Sequence, residues 1–227
     1  MKNLQDILPI YSVEQDAILS KMGDITIGFR AELPEIFTMS SQDHESLHQA
    51  WIKAIKVLPA NCILHKQDWF TEANYSADFS GELSFLERAS ERFFNERPYL
   101  DHSCYLFITR MPAGRVQPNS MFSTLLRKHI VPVETLDDKF FASLQECVGQ
   151  FERILADSGL ISLERMKDES LEEVISQYLN LGKDNLVRDI SFGTGFESGI
   201  QVGEKYCALF TLADAVDLPA HCGSRIT

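Results

Sequence analysis

The pentapeptide His44-Glu45-Ser46-Leu47-His48 satisfies H-E-x-x-H within a stretch of helical periodicity. Two imidazoles one turn apart can bind zinc while the carboxylate activates a metal-bound water, so the chemistry on offer is metal-assisted peptide hydrolysis. A third ligand is needed to hold the metal. Asp68 and Glu72 lie at a workable separation, but neither sits in a recognisable second helix. His44 and His48 also continue the stripe of Leu47, Trp51 and Ile55, which lets them border a core instead. A small zinc peptidase is therefore the alternative reading. No residue is assigned as catalytic, cofactor-binding or metal-ligating.

Residues 193–203 hold Gly193, Gly195, Gly199 and Gly203, a density that invites a phosphate-binding reading. Gly199 and Gly203 have three residues between them where a Walker A loop needs four, and Lys205 is followed by Tyr206 rather than Ser or Thr. With no helix after the loop to point its N-terminus at a phosphate, turn glycines between short strands account for them better. No Gly-x-Ser-x-Gly elbow occurs. The five cysteines, Cys62, Cys104, Cys147, Cys207 and Cys222, form no C-x-x-C pair and are odd in number, as expected of a reduced intracellular protein.

Charge narrows the partners. The 227 residues carry 21 Lys+Arg and 33 Asp+Glu, a net −12, which argues against a general binder of phosphate backbones. Within this acidity, the 32 residues between Asp101 and Glu134 contain no acid and four bases, Arg110, Arg115, Arg127 and Lys128. That +4 stretch could meet an acidic partner or a membrane surface, or simply be a solvated loop beside a buried strand. The longest run free of Asp, Glu, Lys and Arg is Val116–Leu126, 11 residues, against the roughly 20 a membrane-spanning helix needs. Asp6 and Pro9 interrupt any apolar leader. A hydrophobic content of 44% and this length suffice for a core without disulfide or metal staples.

The elements that must position these residues follow from periodicity. Residues 16–33 read as a hairpin turning at Met22-Gly23-Asp24, with Ile25, Ile27 and Phe29 alternating. A helix from about Gln42 to Leu58 takes Ser40 or Ser41 as its N-cap. A strand over Cys62–Phe70 and a turn region near Asn74–Gly81 come next. A second helix opens on the capping box Ser84–Glu87 and is expected to bury Phe85, Leu86, Ala89, Phe93 and Phe94. His102–Met111 is an apolar strand. Thr135–Ser158 is an amphipathic helix with Leu136, Phe140, Leu144, Val148, Phe151 and Leu155 on one face, ended by Gly159. A short strand at 160–166, a helix opened by Asp168 or Ser170, and two or three strands finish the chain. The acid pairs Asp137-Asp138 and Glu172-Glu173 fall on solvent-facing helical positions.

This order predicts an α+β fold, a mixed or antiparallel sheet with helices packed on one face and ferredoxin-like elements. It also allows two lobes: an N-terminal α+β lobe at 1–111, a loop or linker at 112–134, and a second α+β lobe at 135–227.

Longer runs carry a family resemblance. MKNLQDILPIYSVEQDAILSKMGDITIGF, HQAWIKAIKVLP, HKQDWFTEANYSADF and RASERFFNERPYLDHSCYLFITRMPAGR resemble the N-terminal region of the TraG-family ATPases of conjugative transposons, relatives of the type IV secretion ATPases. The likeness continues through FSTLLRKHIVP, GQFERILADSGL and LPAHCGSRIT. It implies a cytoplasmic protein peripheral to the inner membrane, serving DNA transfer between cells. Its partners would be proteins of the conjugation apparatus and, through self-association, neighbouring subunits, with no direct nucleic-acid contact. The family's ATP and Mg site belongs to a C-terminal domain with Walker motifs. Neither motif occurs here, so no catalytic residue carries over, and no cofactor is expected in this stretch. The ending at Arg225-Ile226-Thr227 is expected to be that of a piece of a longer ATPase.

Overall fold

The structure, a computed structural model, describes residues 8–95, 97–113, 135, 137–180, 190–192, 200–202 and 205–211. Its strands are β1 (Ile10–Glu14), β2 (Ala17–Ser20), β3 (Ile25–Glu32), β4 (Cys62–Asn74), β5 (Pro98–Arg110), β6 (Ser162–Arg165), β7 (Ile190–Phe192), β8 (Ile200–Val202) and β9 (Lys205–Cys207). Its helices are α1 (Ser41–Lys56), α2 (Phe85–Asn95), α3 (Asp138–Ala156) and α4 (Asp168–Asn180). The protein is α+β, as the sequence predicts.

Two compact units divide at Leu171/Glu172. In the first, all strand pairs are antiparallel and run β1-β2-β3-β5-β4, with β6 on β3. Taking β3, α1, β4, β5, α3 and β6 alone, the chain order is β-α-β-β-α-β and the spatial order is β6-β3-β5-β4, the ferredoxin-like split arrangement. The β1–β2 hairpin is an addition. It turns at Gln15 and Asp16, both at positive φ (57° and 58°), the backbone of a tight two-residue hairpin loop. One side of β3 is shared lengthwise: β2 pairs at Ile25 and Thr26, and β6 pairs from Phe29 to Glu32. The second unit holds the three-stranded antiparallel sheet β7-β8-β9.

The expected lobe boundary in 112–134 differs from this division. α3 packs on α1, and β6 completes the sheet beside β3, so elements after residue 134 finish the first unit rather than start a second.

α1 begins where expected. Ser40 is the N-cap, its hydroxyl accepting from Asp43 N–H (3.2 Å) while the Asp43 carboxylate accepts from Ser40 N–H (2.9 Å). Hydrogen bonding by Ser40 holds the Asp43 carboxyl below its ordinary range. The buried stripe of α1 is Ala50 and Ala54 flanked by half-buried Leu47 and Trp51, with half-buried Leu58 just past the helix end, while Ile55 faces solvent, a correction to the expected stripe. α3 buries Leu144, Val148, Phe151 and Leu155 completely, and Trp51 meets Phe151 edge-on at 6.2 Å. Leu136, expected on that face, lies outside the described residues. Gly159 turns the chain after α3 at φ 68°.

Both helices cover the sheet face carrying Ile27, Phe29, Leu106 and Ile108, all buried. The opposite face is also covered at Gly28. A Cβ there would lie 2.8 Å from Leu171, 3.1 Å from Phe107 and 3.2 Å from Met166, so glycine is what lets the start of α4 approach the sheet. That start is fixed by Asp16: the Asp16 carboxylate accepts from Asp168 N–H (3.2 Å), and the Asp168 carboxylate accepts from Asp16 N–H (2.7 Å).

Candidate functional site: a polar cluster and an aromatic arm on one ribbon

β4 and β5 pair without interruption over thirteen residues, from Cys62↔Arg110 to Asn74↔Pro98. Only the first half of this ribbon lies over the core. Cys104 through Ile108 are buried, whereas Pro98 through His102 are exposed. Both strands are longer than the expected Cys62–Phe70 and His102–Met111 on the side away from the core, and the excess forms an arm.

The arm ends in α2, whose start has the expected capping box: Glu87 accepts from Ser84 N–H (2.8 Å), and Ser84 Oγ accepts from Glu87 N–H (3.4 Å). Its expected burial does not occur. Phe85 is 87% and Leu86 75% exposed, Phe93 and Phe94 are about half exposed, and no residue of α2 is buried. Apolar spacing marks a face suited to burial, but nothing described in this chain covers it. The tip is tied together locally. Glu91 accepts from Tyr75 Oη (2.9 Å) and Asp78 N–H (3.1 Å), Asn95 accepts from Ala77 N–H (3.2 Å), and Arg97 lies 4.1 Å over the Phe93 ring.

Where the covered and free halves meet, one sheet face gathers Lys66, Asp68, His102 and Cys104. Asp68 bonds His102 Nε2 at 2.9 Å and pairs with Lys66, and His102 stacks on Phe70 at 4.7 Å. Burial pushes the Asp68 carboxyl up, but hydrogen bonds from Lys66 and His102 and the Lys66 charge outweigh it and leave the group below its ordinary value. Burial pushes the Cys104 thiol up to about 11. A thiol this reluctant to ionise is a poor nucleophile at neutral pH, so the cluster lacks the activated sulfur that cysteine chemistry requires. Sequence spacing could not have found it, since Asp68 and His102 are 34 residues apart and only the β4/β5 register joins them.

The H-E-x-x-H residues lie on the outward side of α1. His44, Glu45 and His48 are all exposed, and Glu45 accepts from Gln49 Nε2 (2.8 Å). A shallow groove of about 490 Å³ between α1 and α3 is lined by Glu45, Gln49, Lys53 and Asp157 among others, but not by His44 or His48. Asp68, one proposed third ligand, is engaged in the ribbon cluster, and Glu72 is exposed further along β4. Among the described residues, no group of three or more His, Cys, Asp or Glu is placed to hold a metal ion.

Of the +4 stretch, Arg110 is built into the fold: it lies 4.1 Å over the Phe140 ring and donates to the Phe140 carbonyl (3.1 Å). Arg115, Arg127 and Lys128 lie outside the described residues, as do Gly193, Gly195, Gly199 and Gly203.

Residues 1–49 match a family model described as "Domain of unknown function, B. Theta Gene description (DUF3875)". No curated protein matches the chain. The matched stretch takes in the β1–β2 hairpin, β3 and the first half of α1, and stops short of the ribbon. No described helix is long and apolar enough to cross a membrane.

Proposed function

We propose that this chain is a non-catalytic docking domain of a conjugative-transfer ATPase of the TraG type, joining the motor to proteins of the inner-membrane transfer complex and to neighbouring subunits. The observation that carries this reading is the arm. A single protein rarely leaves so many large apolar side chains together in water, yet Phe70, Phe85, Leu86, Phe93, Phe94, Tyr99 and Leu100 are all exposed on one projecting element. Aromatic residues that cost little side-chain entropy to fix are the usual anchors of protein interfaces.

The charge of the arm favours protein over lipid. Residues 70–102 carry seven acids and three arginines, a net −4, which the anionic cytoplasmic leaflet would repel. A basic, partly apolar protein surface is the complementary partner. The tie to conjugation rests on the resemblance of the residue runs quoted above to the TraG family. On this reading ATP and Mg are bound by another domain of the parent protein, and the chain is cytoplasmic and peripheral to the inner membrane.

The test is made in donor cells carrying the parent element. Replacing Phe85 and Leu86 by Ser should lower transfer frequency and co-purification with the element's channel proteins by at least about tenfold. Steady-state ATP turnover by purified residues 1–227 would overturn the reading. So would unchanged transfer by the double variant.

A further inference from the structure

β4 is the outermost strand of the sheet, and among the described residues no strand pairs with its free side. Proteins ordinarily blunt such edges with a proline, a bulge or a short strand. β4 has none of these: it runs thirteen residues, contains no Pro or Gly, and holds its register on β5 throughout. Charged side chains also guard edges, and β4 carries Lys66 and Asp68 two positions apart on the same face; being opposite in sign, they repel most strands but match an antiparallel copy of this one.

We propose that this edge is a seam between two copies of the chain, β4 pairing antiparallel with β4 about a two-fold axis through Gln67. The inference rests on the reading of the chain as an assembly domain and names one of its partners, a second copy. The register follows from complementarity. A two-fold axis normal to the sheet keeps residues of one face opposite each other, so it must pass through a residue. Centred on Gln67, it sets Lys66 against Asp68 of the partner subunit and Asp68 against Lys66 of the partner subunit. It also sets exposed Phe70 against half-buried Leu64 of the partner subunit, Trp69 against His65 of the partner subunit, and exposed Ile63 against Thr71 of the partner subunit. Centring on Lys66 or Asp68 would bring that charge onto its own copy, and centring on Trp69 would set Asp68 against Phe70 of the partner subunit. Opposed charges and apolar pairs across strands stabilise a pairing, and like charges directly opposite destabilise it. The seam spans residues 62–72, about 37 Å, and makes one continuous sheet of two domains.

The experiment is a charge exchange read by sedimentation equilibrium on the purified 227-residue chain. The wild type should dimerise below about 100 µM. Lys66→Asp places Asp opposite Asp, and Asp68→Lys places Lys opposite Lys, so each variant alone should dimerise at least about tenfold more weakly. Mixing the two in equal amounts should restore dimers, because both carboxylates of the Lys66→Asp chain then face both ammonium groups of the Asp68→Lys chain. Loss of the Lys66–Asp68 pair within a chain is common to both variants, and mixing cannot repair it. Failure of the mixture to recover overturns the seam, as does a wild type that stays monomeric. Should either variant fold poorly, amide exchange across 63–71 in the wild type decides instead: protection that rises with protein concentration supports the seam, and concentration-independent exchange overturns it. Phe85→Ser/Leu86→Ser should leave this equilibrium unchanged, so failure of docking and failure of the seam are separately visible.

Discussion

The two halves of the β4–β5 ribbon share one ladder and one register yet lie in opposite surroundings. Near the base, Leu106 and Ile108 are fully buried under α1 and α3, and Cys62 and Leu64 of β4 are half-buried against the same core. Toward the tip, Phe70, Tyr99 and Leu100 remain exposed although their backbones pair in the same way. Strand pairing satisfies backbone groups wherever two chains run side by side, so a ladder can continue past the layer that buries it. What ends at Asp68 and Cys104 is the core, not the sheet. An isolated two-stranded ribbon is marginal in water, and here it is held at one end by the core and at the other by the Glu91-centred bonds of α2. The base stabilises the fold; the exposed aromatics of the tip add little to it and are available to a partner.

The contrast is broken most severely at the base. Phe151→Ala removes a fully buried ring that meets Trp51 and should destabilise the chain by about 3–5 kcal/mol, measured by urea unfolding. Next comes the opposite sheet face. Gly28→Ala forces a methyl to within 2.8 Å of Leu171 and 3.1 Å of Phe107, at an expected cost of about 1–3 kcal/mol. A neutral result there would mean that the start of α4 yields freely, and that the second face contributes little.

The junction gives a smaller, pH-dependent effect. Asp68 has a lowered pKa in the folded chain, so its contribution is present above the unfolded carboxylate value of about 3.9 and is lost as pH falls through the folded value. Asp68→Asn should cost under about 1 kcal/mol at pH 7, since the group is about a third exposed, and less at a pH below the ordinary carboxylate range. The comparison is made on protein dilute enough to be monomeric. An equal cost at both pH values would assign the effect to packing rather than to the Lys66 and His102 bonds.

These regions differ in how far the sequence disclosed them. α3 was legible because Leu144, Val148, Phe151 and Leu155 recur at helical spacing and the core does cover them. α2 shows the same kind of spacing, but periodicity reports an apolar face without saying whether this chain supplies its cover. β1 escaped because it is short and its register slips between Ile10 and Ser12, which breaks the alternation. The Asp68–His102 cluster was invisible for a topological reason: its members meet only through a register that no local signal sets. The H-E-x-x-H pattern was legible as letters, but on α1 its histidines point outward, away from the groove that Glu45 lines.

The gentlest substitution tests the comparison most directly. Phe85→Ser/Leu86→Ser alters two of the most exposed side chains in the chain, and surface changes away from packed features shift stability by no more than about 0.5 kcal/mol each. A urea midpoint and slope equal to those of the wild type, together with lost partner binding, is the expected outcome. The slope matters because it scales with the surface exposed on unfolding. If the double variant instead lost as much stability as Phe151→Ala, those side chains would have to be covered in the folded chain. The arm would then be a second core, and the distinction between the ribbon's two halves would fail.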